Sequence, residues 1–283
     1  MKYICTHDMP LMDAAQNMAP EASRTSLRAW IKEGRVSVDS VVVQDIRYGV
    51  LSGQEISLGS KVHYAKGGIK ILYEDSHLVV VDKPEGLLSV EAAFEKTETV
   101  HAHLKEKYRP RKVFVVHRLD QDTSGVMLFA LTEKAYSLLK ELFVKHDIDR
   151  CYTAIVQGEL KEKMGTWKSY QFEDEQYVVR NTSDADLGKL AITHYEVMGH
   201  TKRFSRLDLH LETGRKNQIR VHCAEAGYPI AGDKKYGGGE SPIKRLCLHA
   251  RLLGFVHPIT DKQMRFESPC PQAFDRLVPI GKR

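Results

Sequence analysis

Long hydrophobic runs are missing from this chain of 283 residues. None approaches the roughly 18 apolar residues that a membrane-spanning helix needs, and the amino terminus, MKYICTHDMPLMDAAQ, lacks the apolar segment of a secretory signal. Cysteine is scarce and unpatterned. Cys5, Cys151, Cys223, Cys247 and Cys270 form an odd, scattered set without a C-x-x-C pair. That excludes a disulfide framework and a zinc ribbon, and points to reduced thiols in a cytoplasmic protein. The histidines also lack metal-ligand spacing. His101 and His103 lie two apart on a predicted helix, where they cannot face one ion, and His249 and His257 fit no ligand pattern. YGGGE (236–240) is glycine-rich but carries no Gly-Lys-Ser/Thr, so it reads as a loop and not as a phosphate cradle. No internal repeat or low-complexity tract is present. No metal and no organic cofactor is expected.

What is present describes an ordinary globular protein: 42% apolar and 28% charged residues, in a length that suits one large domain or two unequal ones. The net charge is +5 and the pI about 8.8, an excess that suits a polyanionic partner without demonstrating one. Residues 1–62 carry seven Lys/Arg and seven Asp/Glu, yet four of those cations are Arg24, Arg28, Lys32 and Arg35. Their spacing of four, four and three places them along one side of a helix. Ser23 or Thr25 can cap that helix, Leu27, Trp30 and Ile31 supply its apolar stripe, and Gly34 is the predicted stop before a short strand. The same pattern describes a solvated helix face, so these residues alone leave RNA binding and plain solvation both open.

GSKVHYAKGGIK (59–70), with three glycines and three lysines, marks the predicted boundary, with a linker over 63–70. Strands are predicted over 69–73, 78–83, 113–119, 125–131, 151–158, 191–198, 204–212 and 247–256. Helices are predicted over 97–107, 132–145 and 215–226, the second capped by Thr132 and burying Ala135, Leu138, Leu139 and Leu142. Strands come in runs, not in regular alternation with helices. The expectation is therefore an α+β fold with a mixed, largely antiparallel sheet, behind a small N-terminal α/β module.

Between the strand-like flanks VFVV and VMLFA sits HRLDQDTSG (117–125), with two carboxylates, two hydroxyls and an arginine. Read plainly, Asp122 builds the loop by bonding the backbone two residues on, and Asp120 is a surface acid. DTSG also resembles the loop of aspartic proteases, but that chemistry needs two carboxylates sharing a proton. A second copy of the motif is absent, so a protease would have to be a homodimer.

The whole stretch resembles the signature of the ribosomal large-subunit pseudouridine synthase family (RluA type), His-Arg-Leu-Asp-x-x-Thr-Ser-Gly. ILYEDSHLVVVDKPEGLLSV (71–90), RCYTAIVQG (150–158), LETGRKNQIRVH (211–222), AGDKKYG (231–237) and RLCLHARLLGFVHP (245–258) are similar to further family motifs in the same order. Residues 11–59 resemble the alphaL RNA-binding domain. The resemblance divides the chain into an RNA-binding domain (1–62), the linker, and a catalytic domain of the pseudouridine synthase fold (71–283).

The resemblance implies a monomeric, cytoplasmic isomerase that breaks the bond from ribose to the uracil nitrogen, turns the base and rejoins it through a ring carbon. Large-subunit ribosomal RNA or an assembly intermediate would be its partner, with no membrane involved. It implies Asp120 as the catalytic carboxylate, with three routes open: addition to the sugar, addition to the base, or proton removal from the sugar. Arg220 would hold Asp120 through two parallel bonds. Tyr152 would stack on the uracil and help move a proton. Ile219 would contact the base, and Arg118 would enter the RNA helix as the target is extruded. Arg24, Arg28, Lys32 and Arg35 would face phosphates. His117 is expected to shape the strand end and Leu119 to point into the core.

Two departures stand out. The family usually has Arg-Thr-His-Gln where this chain has Arg215-Lys216-Asn217-Gln218. Its tyrosine motif usually begins with Lys and carries Tyr-Leu-Ala, against Arg150-Cys151-Tyr152-Thr153-Ala154 here. Neither is expected to touch Asp120, Tyr152 or Arg220. The competing reading is a catalytically inactive RNA-binding protein of ribosome assembly.

Overall fold

The computed structural model describes every residue except 33, 34, 40, 44, 60–62, 66, 67, 93, 94, 240, 282 and 283. The chain divides into two units, Met1–His63 and Tyr64–Arg283. Among the described residues no helix is long and apolar enough to cross a membrane.

The first unit contains β1 (Lys2–Ile4), β2 (Met9–Pro10), α1 (Leu11–Met18), α2 (Arg24–Lys32), β3 (Val36–Val38), β4 (Val41–Val42), β5 (Gly49–Val50) and β6 (Glu55–Leu58). Four strands pair in the order β1-β6-β3-β4, and β2 pairs with β5. Leu11, Ala14 and Ala15 of α1 and Leu27 and Ile31 of α2 bury against Val36, Val38 and Ile56. Ser23 caps α2, its Oγ accepting the Ser26 N–H at 3.1 Å. The stop expected at Gly34 lies outside the described residues. Arg24, Arg28 and Lys32 share the helix, but Arg35 does not continue the row. Its N–H bonds the Trp30 carbonyl, its carbonyl takes the Gly59 N–H, and the chain turns off toward β3. Its guanidinium lies 5.0 Å from the Trp30 ring centroid and donates to the Gly59 carbonyl. Arg24 faces Asp13 at 3.7 Å.

β7 (His63–Ala65) begins at the boundary, and the second unit continues with β8 (Ile69–Glu74), β9 (Leu78–Lys83), α3 (Val100–Lys107), β10 (Phe114–Val115), β11 (Ser124–Ala130), α4 (Glu133–Lys145) and β12 (Asp149–Gln157). After these come β13 (Met164–Glu173), β14 (Val179–Thr182), β15 (Lys189–His200), β16 (Phe204–Leu211), α5 (Gln218–Glu225), β17 (Leu248–Val256), β18 (Gln263–Glu267) and α6 (Gln272–Leu277). The segment expected as a linker is thus partly strand: β7 and the start of β8 fall within 63–70. The strands form one sheet in the order β14-β13-β15-β16-β12-β17-β11-β9-β8-β7, with β10 on β11 and β18 on β17. The fold is α+β.

β9 and β11 are continuous apolar runs because helices cover both of their faces. Val79, Val81, Met127 and Phe129 pack with Val100 and Leu104 of α3. Leu78, Val80, Val126 and Leu128 pack with Ala135 and Leu139 of α4. Thr99 and Thr132 cap these helices by accepting from Ala102 and Ala135. From β14 to β8 the ladders are antiparallel with one exception. β11 and β17 pair in parallel through Ser124–His249 and Gly125–Ala250. Gly125 has φ +117°, and a Cβ there would lie 2.1 Å from the Ala250 carbonyl oxygen. No side chain fits, which is why the signature ends in glycine.

Candidate active site

Asp120 lies on the loop that leads into β11. The Thr123 N–H closes its turn onto the Asp120 carbonyl at 3.1 Å, while Asp122, expected to bond the backbone, is exposed. Two side chains anchor this loop. Ser89 Oγ donates to the Leu119 carbonyl (2.6 Å) and accepts the Leu119 N–H (3.1 Å). Lys83, wholly buried at the end of β9, donates to the carbonyls of Pro84 (2.9 Å), Leu87 (2.7 Å) and Gln121 (2.7 Å). Burial pushes its amine down, and even with Asp122 and Asp120 pulling it back it settles at about 7. Three carbonyls accept three N–H bonds, a set only the ammonium form supplies.

Leu119 packs in the core. His117 is a neutral acceptor: burial pushes its imidazole down to about 3, Nε2 takes the Leu128 N–H at 3.0 Å, and the ring stacks on Phe143.

The facing groups come from the turn into α5. Gln218, buried, spends its whole amide there. Its oxygen accepts from Thr213 Oγ1 and the Arg215 N–H, and its nitrogen donates to the Ile192 carbonyl and Thr193 Oγ1. This fixes the start of the helix that carries Ile219 and Arg220.

Arg220 does not make the expected two-bond clamp on Asp120. Nε and Nη2 each lie 2.8 Å from the carboxylate of Asp233, which is 1% exposed, and Asp120 Oδ2 receives only Nη1, at 3.1 Å. A buried carboxylate has no water to turn to, so it takes the matched fork, and of the remaining N–H groups one reaches Asp120. Burial acts to lower the Arg220 pKa, but the bonds and charge of Asp233, with those of Asp120, more than reverse this. Asp233 stands in AGDKKYG, a motif recognised in the sequence without a role for its acid.

Asn217 also departs from expectation, because it touches Asp120. With its amide nitrogen turned toward the carboxylate, it donates to Oδ2 at 2.7 Å and Oδ1 at 3.0 Å, and its oxygen accepts from the Tyr236 hydroxyl at 3.0 Å. The reverse orientation would set an acceptor against both carboxylate oxygens.

Tyr152 reaches the site from β12, its ring packed against two core clusters. Burial raises its phenol, Arg150 opposes this and the Asp120 charge supports it, for a net rise to about 12, so the hydroxyl keeps its proton at neutral pH. Asp120, Tyr152, Ile219 and Arg220 line one cavity of about 70 Å³ with Asn217 and Arg215, and the exposed Arg118 borders it. That is about half of the ~150 Å³ of an enclosed cavity that takes benzene, and this cavity is open to solvent at its rim. Arg118 is the exposed rim side chain. Arg24, Arg28, Lys32 and Arg35 all lie in the other unit. Among the described residues no group of three His, Cys, Asp or Glu is placed to hold a metal ion. The arrangement offers one carboxylate at the wall of a small cavity, a neutral phenol beside it and an apolar wall.

A family model described as RNA pseudouridylate synthase matches residues 77–225. An uncharacterized RNA pseudouridine synthase of Bacillus subtilis, YhcT, is 36% identical over 270 residues, covering 92% of this chain and 89% of that one. The ribosomal large subunit pseudouridine synthase D of Pseudomonas aeruginosa is 34% identical over 291 residues, covering 94% and 90%. Among solved structures, human RNA pseudouridylate synthase domain containing 4 aligns with a TM-score of 0.60 at 25% identity. It covers 72% of this chain and 89% of its own.

Proposed function

The chain belongs to the RNA pseudouridylate synthase family, whose members are isomerases, and from that premise we propose that it converts uridines of large-subunit ribosomal RNA to pseudouridine, with Asp120 as the essential carboxylate. The observation that carries this reading is the Arg220 N–H on Asp120 at the wall of a cavity shared with Tyr152 and Ile219. Relatives named as large-subunit enzymes support the ribosomal target. The enzyme works in the cytoplasm as a monomer.

The target nucleotide leaves its stack, at a cost of a few kcal/mol, and Arg118 fills the vacancy by stacking and hydrogen bonding. Uracil sits against Tyr152 and Ile219. Asp120 opens the ribose–nitrogen bond by one of three routes: adding to the sugar, adding to the base, or taking a proton from the sugar. The pocket retains the freed base while it turns, and the ring carbon then bonds to the sugar. That carbon sheds a proton while the ring nitrogen gains one, so the reaction needs neither oxidant nor energy source. The Tyr152 hydroxyl, still protonated, serves as a relay and not as a phenolate base.

Pseudouridine mapping across total RNA from cells with and without this gene tests the reading. Sites lost from large-subunit ribosomal RNA are the expected result, and losses confined to transfer RNA would overturn the target.

The domain comprising residues 1–62 serves as the RNA-binding module, with Arg24, Arg28, Lys32 and Arg35 toward phosphates. Charge reversal at Arg28 and Lys32 is expected to weaken RNA binding and lower the slope of log affinity against log salt by about one to two. Turnover of a minimal stem-loop should be spared. Filter binding across a salt series checks this, and a wild-type slope would remove both residues from the interface.

A further inference from the structure

We infer that Asn217 is a positioning residue that sets the aim of Asp120 through its side-chain amide, an inference that rests on the catalytic reading of Asp120. Arg220 gives Asp120 a single N–H, because its fork is held by Asp233. One bond to one oxygen leaves the carboxylate able to swivel about its own bond to Cβ. The Asn217 nitrogen spans both oxygens, at 2.7 and 3.0 Å, and removes that freedom.

Two further observations single out this side chain. Asn217 occupies the residue before α5, where an Asn ordinarily spends its oxygen on the first N–H groups of the helix, yet it makes no such bond. Its backbone is left-handed, φ 54° and ψ 18°, a conformation that Asn tolerates better than most residues and that turns the amide away from the helix. Tyr236 then fixes which end faces which way. Its hydroxyl accepts the Val179 N–H at 3.3 Å, so its own proton is directed to the Asn217 oxygen at 3.0 Å. The same ring lies 5.1 Å from the Arg220 guanidinium. Tyr236 therefore braces both groups that hold Asp120.

A neutral donor suits this post. A second cation would hold the carboxylate but also draw down the electron density it needs in order to attack. The amide aligns both oxygens and leaves the charge in place.

Two variants test the inference in the full-length enzyme. Asn217→Gly keeps the left-handed backbone accessible and removes only the amide. Its kcat under saturating RNA is expected to fall about 10- to 100-fold, with KM within about threefold and the melting temperature little changed. Asn217→Asp keeps shape and backbone but sets an acceptor against both Asp120 oxygens, so its kcat should fall further. That loss should shrink as the pH is lowered, because the introduced carboxyl again offers a donor once protonated.

Wild-type kcat in Asn217→Gly, or a pH profile of Asn217→Asp parallel to wild type, would overturn the inference. Should the glycine variant unfold, the pH profile of the isosteric one decides. An inactive Asp120→Asn beside an active wild type establishes the catalytic reading by itself, so failure at Asn217 would leave that reading standing.

Discussion

Asp120→Asn is expected to abolish pseudouridine formation, lowering the rate by about 10⁴-fold or more, while the melting temperature stays within a few degrees of wild type. Asparagine has the same shape, and its oxygen can still accept the single N–H from Arg220. The Lys83 and Ser89 anchors act on backbone atoms of the loop and are untouched. What disappears is the negative charge that all three chemical routes require. The measurement is conversion of a uridine-containing stem-loop by purified, folded protein. Turnover near wild type would reject Asp120 as the essential group. If cells carrying the variant keep both their phenotype and their modified RNA, the chain acts as a binding protein and not through this pocket.

The second large effect is expected at Asp233. Asp233→Ala leaves Arg220 with only the partly exposed Asp120 for a charge partner and breaks a pair in which the lost carboxylate is 1% exposed. Removing one member of such a pair costs about 3–5 kcal/mol, a fall in melting temperature of about 10 °C for a chain of this size. The carboxylate also accepts the N–H groups of Lys235 and Tyr236, so the loop that brings Tyr236 to the site loosens with it. Turnover should fall with stability and stay low at temperatures where the variant is fully folded, because Arg220 is then free to turn its whole fork onto Asp120. Thermal denaturation and single-turnover kinetics check the two halves. Unchanged melting together with unchanged turnover would show that Asp233 does not set the arginine.

Much of this was legible in the sequence. The apolar runs at 78–83 and 125–131 are strands covered on both faces, and the caps at Ser23 and Thr132 stand where their hydroxyls predicted. β13 and β14 carry no clear strand signal in the sequence because they lie at the polar end of the sheet. MGTWKSYQFE offers no apolar run, and only one of its ten residues is fully buried. β18 and α6 are short and carry little pattern. Within the site, residues were identified more readily than their pairings. Arg220 and Asp120 meet, but the fork goes to Asp233, because burial decides which carboxylate needs it more, and burial is a property of the folded chain. Asn217 was visible as a departure from the family pattern. That it touches Asp120 follows from a left-handed backbone angle, which spacing alone does not reveal.

The parallel pairing of β11 with β17 has a consequence for timing. β17 lies between β11 and β12, and so between the strand that follows Asp120 and the strand that carries Tyr152. It is also among the last strands to be synthesised. A nascent chain still short of Leu248 lacks the strand that bridges these two half-sheets, leaving α4 and the Asp120–Arg220 contact as links between them. The cavity between Asp120 and Tyr152 is therefore expected to take its full shape only once that late strand slots in.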